Sequence, residues 1–345
     1  MGKNGVLITG GTGFIGSHIT REFCGNQVNI GCLVRKDSHL SNLEGLPVAL
    51  ETGDIKNIGE LSEVFSGYEW VIHNAAKVAD WGCYQEFYQT NVVGTVNVLK
   101  ACVQAGIKNI LMTGSNSVYG EENCFVLKDE ESPYNSHYPY LGDGFFPCKL
   151  NYYRDTKAIA KQEALAFAEK HDLNLTILEP VWVYGEREFN TGFYEYLKTA
   201  KAGIPLVPGA KNNKFHVVYA GDLARAYFLA YKKQLTGRHC MLIGNEEPEN
   251  MDRIYELFCS AAGLRKPGNL PKALSYPLAF LMELIFTIFK AQNPPLLTRG
   301  RVNMFYDNIE FSVEKANHIL DFRNSFSLEE GIKRTVSWYK EQGLI

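Results

Sequence analysis

Tyr153 and Lys157 lie four residues apart at the start of a strongly helical stretch that runs to about Lys170. Ser115 lies upstream, in Thr113-Gly114-Ser115-Asn116-Ser117-Val118-Tyr119-Gly120. Residues at i and i+4 project from one face of a helix, so the phenol and the ammonium share a side. An isolated tyrosine, with a pKa of about 10, is a poor base near neutrality. A lysine ammonium beside it stabilises the phenolate and draws that pKa toward the working pH. Tyr153 is then the acid or base, Ser115 the group that hydrogen-bonds the substrate oxygen, and Lys157 the tuning cation. The Tyr-x-x-x-Lys spacing is common in a chain with 19 tyrosines, and Tyr194 with Lys198 repeats it. No strand-terminal serine precedes that second pair, which follows a loop from Pro180 to Gly185 and reads as a helix surface.

The reaction such a pair would serve is indicated near the amino terminus. Val6-Leu7-Ile8-Thr9-Gly10-Gly11-Thr12-Gly13-Phe14-Ile15-Gly16 reads as a buried strand, a tight glycine turn and a helix starting near Phe14. Gly10 and Gly11 permit the turn, Gly13 lets the backbone approach a pyrophosphate, and Gly16 lets the helix pack close on the strand. The helix start, with Thr12, Phe14 and Ile15, offers free N–H groups and a positive dipole end to an anion. A dinucleotide is therefore expected here, and the chemistry becomes hydride transfer. A positive nicotinamide ring adds to the effect of the lysine on Tyr153, and Lys157 also grips the cofactor ribose.

A second strand, Val28 to Val34, is followed by Arg35-Lys36-Asp37-Ser38. An arginine there accommodates a 2′-phosphate, so NADP(H) is favoured over NAD(H). Asp37 and the ability of Arg35 to stack on adenine keep NAD(H) open. Gly53-Asp54-Ile55 closes a third strand, where Asp54 either bonds the adenine amino group or caps a helix from Asn57 onward. A fourth strand ends in Asn74, Ala75 and Ala76, whose small size leaves room for a cofactor at the sheet edge.

The elements that must carry these residues alternate. A helical pattern from Tyr84 to Ala105, with Phe87, Asn91, Thr95, Val98 and Cys102 near one face, precedes a fifth strand, Asn109 to Thr113. Repeated alternation argues for an α/β fold with a doubly wound parallel sheet, a Rossmann fold over residues 1–180. Residues 181–345 form mainly a smaller, mixed substrate-binding lobe, with some segments returning to the Rossmann core. The chain has 35 basic and 38 acidic residues in 345, a net charge of −3 and no basic run, so nucleic acid is not expected as a partner. Eight cysteines are scattered without a C-x-x-C pair or metal-ligand spacing, which points to reduced thiols and no metal site. The first strand begins almost at Met1, leaving no room for a signal peptide, so a cytoplasmic location is expected.

Taken together, these residues resemble the extended short-chain dehydrogenase/reductase family. The matching pieces are the glycine turn from Thr9 to Gly16, Asn74-Ala75-Ala76, Asn91-Val92-Val93-Gly94-Thr95, Ser115 to Gly120, Tyr153 with Lys157, and Pro180-Val181-Trp182-Val183-Tyr184-Gly185. The resemblance implies that Ser115, Tyr153 and Lys157 are catalytic, that Asn91 belongs to the cofactor site, and that Pro180 to Val183 passes over the nicotinamide. It also implies a homodimer, formed through the helices near 84–105 and 153–170. The carboxyl half looks most like the 3β-hydroxysteroid and sterol dehydrogenase branch, in Phe215 to Ala224, Pro294 to Thr298, Ser327 to Ile332 and Trp338-Tyr339. Tyr219 stands where many relatives carry valine, and Gly221 where many carry an acid. Dihydroflavonol-type and bacterial 3-oxo-acid reductases share much of the pattern.

The resemblance leads to an NAD(P)-dependent oxidoreductase that interconverts a secondary alcohol and a ketone on a small hydrophobic substrate. Ser117, Phe189 and Phe193 are its expected substrate contacts, although the aromatic density around them also suits plain core. Nucleotide-sugar epimerisation uses the same serine, tyrosine and lysine, and a non-catalytic NADP-binding sensor is a third reading. Dehydratase relatives place an Asp-Glu pair where this chain has Asn116 and Ser117. The most apolar stretch, 273–289, is too short and too interrupted by Pro277 and Glu283 to span a membrane. It reads as a buried helix, as a lid over a hydrophobic pocket, or as a peripheral membrane contact.

Overall fold

Short apolar runs separated by helices build one central layer. In the computed structural model, which describes residues 5–121, 126–188 and 192–345, six strands are β1 (Val6–Thr9), β2 (Ile30–Val34), β3 (Val48–Thr52), β4 (Trp70–His73), β5 (Asn109–Thr113) and β6 (Asn174–Pro180). They pair in parallel in the order β6-β5-β4-β1-β2-β3, and a seventh strand, Arg238–Ile243, adds to the free edge of β6. The order reverses between β1 and β4. The carboxyl ends of those two strands therefore open a crevice, the place where such sheets bind ligands. The strands read VLIT, IGCLV and WVIH and are buried throughout, as expected of strands covered on both faces.

Helices cover both faces. α1 (Phe14–Gly25) lies on one side with α7 (Ala220–Lys233), where Phe23 meets Phe228 and Tyr231 edge to face or tilted at 5.4 Å. The other side carries α2 (Ile58–Phe65), α4 (Gly94–Ala105) and α5 (Leu150–Lys170), which pack on one another over Leu7, Val71, Ile110 and Leu175. α3 (Tyr84–Phe87) runs into α4 through π-helical turns at Tyr88–Val93. The extra residue per turn widens that stretch, where Asn91 is buried at 2 % exposure.

The segment from Pro180 to Gly185, expected as a loop, contains a short strand β7 (Trp182–Tyr184). It leaves the main sheet and pairs in parallel with Val217–Tyr219. Around it the carboxyl half assembles α6 (Gly192–Lys201), α8 (Met251–Ala262), α9 (Lys272–Ile288), α10 (Arg299–Met304), α11 (Glu314–Leu320) and α12 (Leu328–Glu341). Its centre is aromatic: Phe193 stacks on Phe258 at 4.7 Å and meets Tyr184, Phe215 and Tyr255. Such pairs contribute about 0.5–1.5 kcal/mol each beyond simple burial. Among the described residues no helix is long and apolar enough to cross a membrane, and the described cysteines are free thiols.

Candidate active site

The glycine turn leaves β1 with Gly10 at φ +73°, a conformation that glycine adopts without penalty. A Cβ at Gly10 would stand 2.8 Å from the Ala75 backbone, and one at Gly16 would stand 2.0 Å from the Gly10 carbonyl oxygen. Gly11 has a different need from the one expected: its Cβ would strike the Cys32 sulfur at 2.9 Å, so β2 rather than the turn excludes a side chain there. Gly13 is the N-cap of α1 and supplies no side chain to its N–H groups. Those groups remain available to an anion, with Thr12, Gly13, Phe14 and Ile15 all at least partly accessible. The residues present therefore fit a dinucleotide pyrophosphate.

Opposite the turn, β4 ends in Asn74, whose side-chain amide donates to the Gly10 carbonyl at 3.4 Å and whose oxygen accepts from the Thr113 hydroxyl at 2.8 Å. The Ala75 N–H donates to Thr9 Oγ1 at 3.2 Å, and Ala75 and Ala76 are partly exposed. Asn91, from the widened turns, accepts from the Lys77 N–H at 2.7 Å and donates to Thr156 Oγ1 at 3.1 Å, tying the post-β4 segment to α5. Pro180 is buried at the end of β6, and Val183 is partly exposed on β7. Arg35 and Lys36 are exposed after β2, where the Arg35 guanidinium stands 3.5 Å from Asp37.

Asp54 caps no helix. Asn57 is the N-cap of α2 and accepts from the Gly59 N–H at 3.2 Å, while Asp54 accepts from the Lys56 N–H at 2.9 Å inside the preceding turn. Ile55 is buried beneath α4, and its carbonyl accepts from Asn97 at 2.9 Å.

α5 begins at Leu150, so Tyr153 lies in its second turn and Lys157 at the start of its third, rather than at its first residue. The Tyr153 hydroxyl donates to Ser115 Oγ at 3.5 Å, and Ser115 Oγ lies 2.8 Å from Ser117 Oγ. Ser115 also caps the short 3-10 turn Asn116–Tyr119, accepting from the Ser117 N–H at 3.3 Å. That cap fixes the hydroxyl at the carboxyl end of β5. Burial pushes the Tyr153 phenol up to about 12, against its hydrogen bond with Ser115, which pulls it down. This departs from the sequence expectation of a phenol drawn toward neutrality. Burial is the cause, and the Lys157 ammonium donates to the Thr113 carbonyl at 2.7 Å. Burial lowers that ammonium to about 8, and the Glu179 carboxylate raises it. The protonated phenol is thus placed to donate to an oxygen held against Ser115.

Several residues around the cluster carried no sequence signal. Lys161, one turn beyond Lys157, is 2 % exposed and donates to Glu179 Oε2 at 3.0 Å. Tyr119 completes this buried group by donating to Glu179 at 2.6 Å. Burial pushes the Glu179 carboxyl up while the Lys161 ammonium pulls it down. Tyr227 of α7 donates to Thr113 Oγ1 at 2.6 Å. His73 bridges Thr9 and Thr95 at 2.8 and 3.0 Å, with its pKa driven down to about 3 by burial, so it is neutral. The i+4 step from Lys157 to Lys161 was the one available hint.

Of the expected substrate contacts, Ser117 is 1 % exposed and reaches the cluster through Ser115. Phe193 is 1 % exposed inside the aromatic core, which leaves it no free face, and Phe189 lies outside the described residues. The second Tyr-x-x-x-Lys pair is spent elsewhere: Tyr194 packs on Tyr339 at 5.2 Å and Lys198 pairs with Glu195 at 3.0 Å.

A helix start without a side-chain cap and a serine–tyrosine–lysine cluster thus lie at the carboxyl ends of strands in one sheet. The chain belongs to the NAD dependent epimerase/dehydratase family, whose pattern matches residues 6–244. It is 29% identical to a 2-alkyl-3-oxoalkanoate reductase of Stenotrophomonas maltophilia, over 95% of this chain and 97% of that protein. Similarity to the decarboxylating sterol-4-alpha-carboxylate 3-dehydrogenase of Schizosaccharomyces pombe is 26% identity over 98% of both chains. The 3 beta-hydroxysteroid dehydrogenase type 7 of Mus musculus is 29% identical, over 96% of this chain and 94% of that one. Among solved structures, a UDP-galactose 4-epimerase superposes with a TM-score of 0.73 at 18% identity, covering 98% of this chain and 99% of that one. At that identity the likeness speaks for the fold.

Proposed function

We propose that this protein is an NAD(P)-dependent oxidoreductase that interconverts a secondary alcohol and a ketone on a hydrophobic substrate, of the 3β-hydroxysteroid, sterol or 3-oxo acid kind. The observation that carries the reading is the 3.5 Å approach of the Tyr153 hydroxyl to Ser115 Oγ at the carboxyl edge of β5, in the crevice that the glycine turn also borders. When bound, the nicotinamide supplies or accepts the hydride. Ser115 holds the substrate oxygen, Tyr153 passes it a proton, and Lys157 keeps positive charge beneath the phenol. Thr12 to Gly16 and Asn74 to Ala76 hold the dinucleotide.

Arg35 and Lys36 favour NADP(H): both are exposed after β2, where a 2′-phosphate would compete with Asp37 for the Arg35 guanidinium. Reductases and dehydrogenases similar over nearly the full length support this chemistry over epimerisation. Purified protein is expected to oxidise NADPH in the presence of hydrophobic ketones, faster than NADH at equal concentration. Tyr153→Phe is expected to lower kcat by about 10²–10⁴, the usual worth of a positioned acid, with the dissociation constant for NADPH nearly unchanged. Full turnover in that variant, or a thermal shift with UDP-sugars and none with steroids, would overturn the reading.

A further inference from the structure

A helix on the surface of a soluble protein turns its apolar stripe inward and its charges outward. α9 does the reverse. Leu274, Leu278, Leu281, Ile285 and Ile288 recur at helical spacing along its outer face and are 62 %, 46 %, 51 %, 43 % and 65 % exposed. The residues it buries are Ser275, Ala279 and Glu283. From Ala273 to Phe289 no exposed residue is polar.

The rotation of the helix is locked. Glu283, the one acid of the segment, points inward to a hydrogen-bonded ion pair with Arg299. That guanidinium also donates to the Leu141 and Phe146 carbonyls and lies over the rings of Phe146 and Phe280. Rolling the apolar face inward would strand this buried pair, at a cost of several kcal/mol. The loop that Arg299 holds extends the same surface. The Leu141 N–H donates to the Tyr276 hydroxyl of the helix at 3.4 Å, and Phe145, in the same loop, is 90 % exposed.

Charge decides what covers this face. Lys272 and Lys290 stand at the two ends of the ridge with no exposed acid between them, but Lys272 is already paired with the Asp307 carboxylate at 3.2 Å. Lys290 makes no ion pair among the described residues. A second copy applied face to face would bring Lys290 against its own Lys290 when parallel, and against Lys272 when antiparallel, offering it an acid in neither case. An anionic surface meets Lys290 favourably. A helix too short and too interrupted to span, apolar on its outer face with the Lys290 cation at its carboxyl end, suits the plane of the membrane interface.

We propose that the outer face of α9, together with Leu141 and Phe145, docks this protein on anionic phospholipid, with the helix lying in the interface. The assignment is independent of which substrate the active site takes. The test is flotation of the full-length protein with vesicles of phosphatidylcholine, alone or mixed with phosphatidylglycerol. The protein is expected to float with the mixed vesicles and to be partly released by salt. Leu281→Glu with Ile285→Glu should abolish flotation while the melting temperature and the binding of NADPH stay as in the unaltered protein. Lys290→Ala should weaken partitioning about fivefold, the effect of one cation near such a surface. In a separate variant, Ile285→Trp, difference emission should shift to the blue when vesicles are added. Unaltered protein that stays at the bottom of the gradient with both vesicle types overturns the proposal. So does an unshifted Ile285→Trp emission, or a fall from dimer to monomer mass in the Leu281→Glu, Ile285→Glu variant without any vesicle binding.

Discussion

Two opposing effects act on Lys157, and burial is the larger. Burial lowers its pKa to about 8, and the Glu179 carboxylate keeps it from falling further. If the ammonium is needed beneath Tyr153, kcat/KM for ketone reduction should fall as pH rises through about 8, with a one-proton limb. Glu179→Gln removes the counter-charge, so the lysine surrenders its proton sooner and the limb should move to lower pH. A Glu179→Asp variant should restore it in part. An unmoved limb in Glu179→Gln would show that the pair of Glu179 with Lys161 only fills space. The sequence displayed Tyr153, Lys157 and the glycine turn because each is a local spacing on one element. Glu179 was invisible for the opposite reason: its partners Lys161 and Tyr119 come from α5 and the turn after β5, and only the sheet brings them together.

At the scale of elements, α9 shows where reading a sequence stops. Its apolar content was plain, but composition does not say which way a helix is rotated. Arg299, eleven residues beyond the helix, makes that choice by pairing with Glu283. Removing one partner of such a pair leaves the other charge buried and uncompensated. Glu283→Ala should therefore destabilise the protein by about 3–5 kcal/mol, measured by urea denaturation. Replacing both residues, Glu283→Leu with Arg299→Met, should recover most of that loss, because two apolar side chains need no counter-charge. A double variant as unstable as the single one would mean that the carbonyl bonds of Arg299 to Leu141 and Phe146 hold the loop more than the ion pair does. The widened turns at Tyr88–Val93 carry a similar lesson. A helix was expected across 84–105, yet the π geometry that accompanies the burial of Asn91 leaves no mark on apolar periodicity.

Over the whole molecule, the glycine turn, the Tyr153 cluster and five strands all fall before residue 180, which invites the idea that this part stands alone. The packing argues otherwise. The strand Arg238–Ile243 pairs with β6 along its length, from Arg238 against Leu175 to Ile243 against Pro180. α7 covers α1 through Phe228 and Tyr231, and its Tyr227 hydroxyl donates to Thr113 next to the Ser115–Tyr153 pair. A fragment ending at residue 180 would expose the unpaired edge of β6, a template for association, together with the apolar face of α1. The expected result is a fragment that aggregates or unfolds without a cooperative transition and binds no NADPH, whereas the full chain binds it and melts sharply. A fragment that melted cooperatively and bound NADPH would show that the returning strand and α7 are coverings added to a core already complete, and that Thr113 keeps its place without Tyr227.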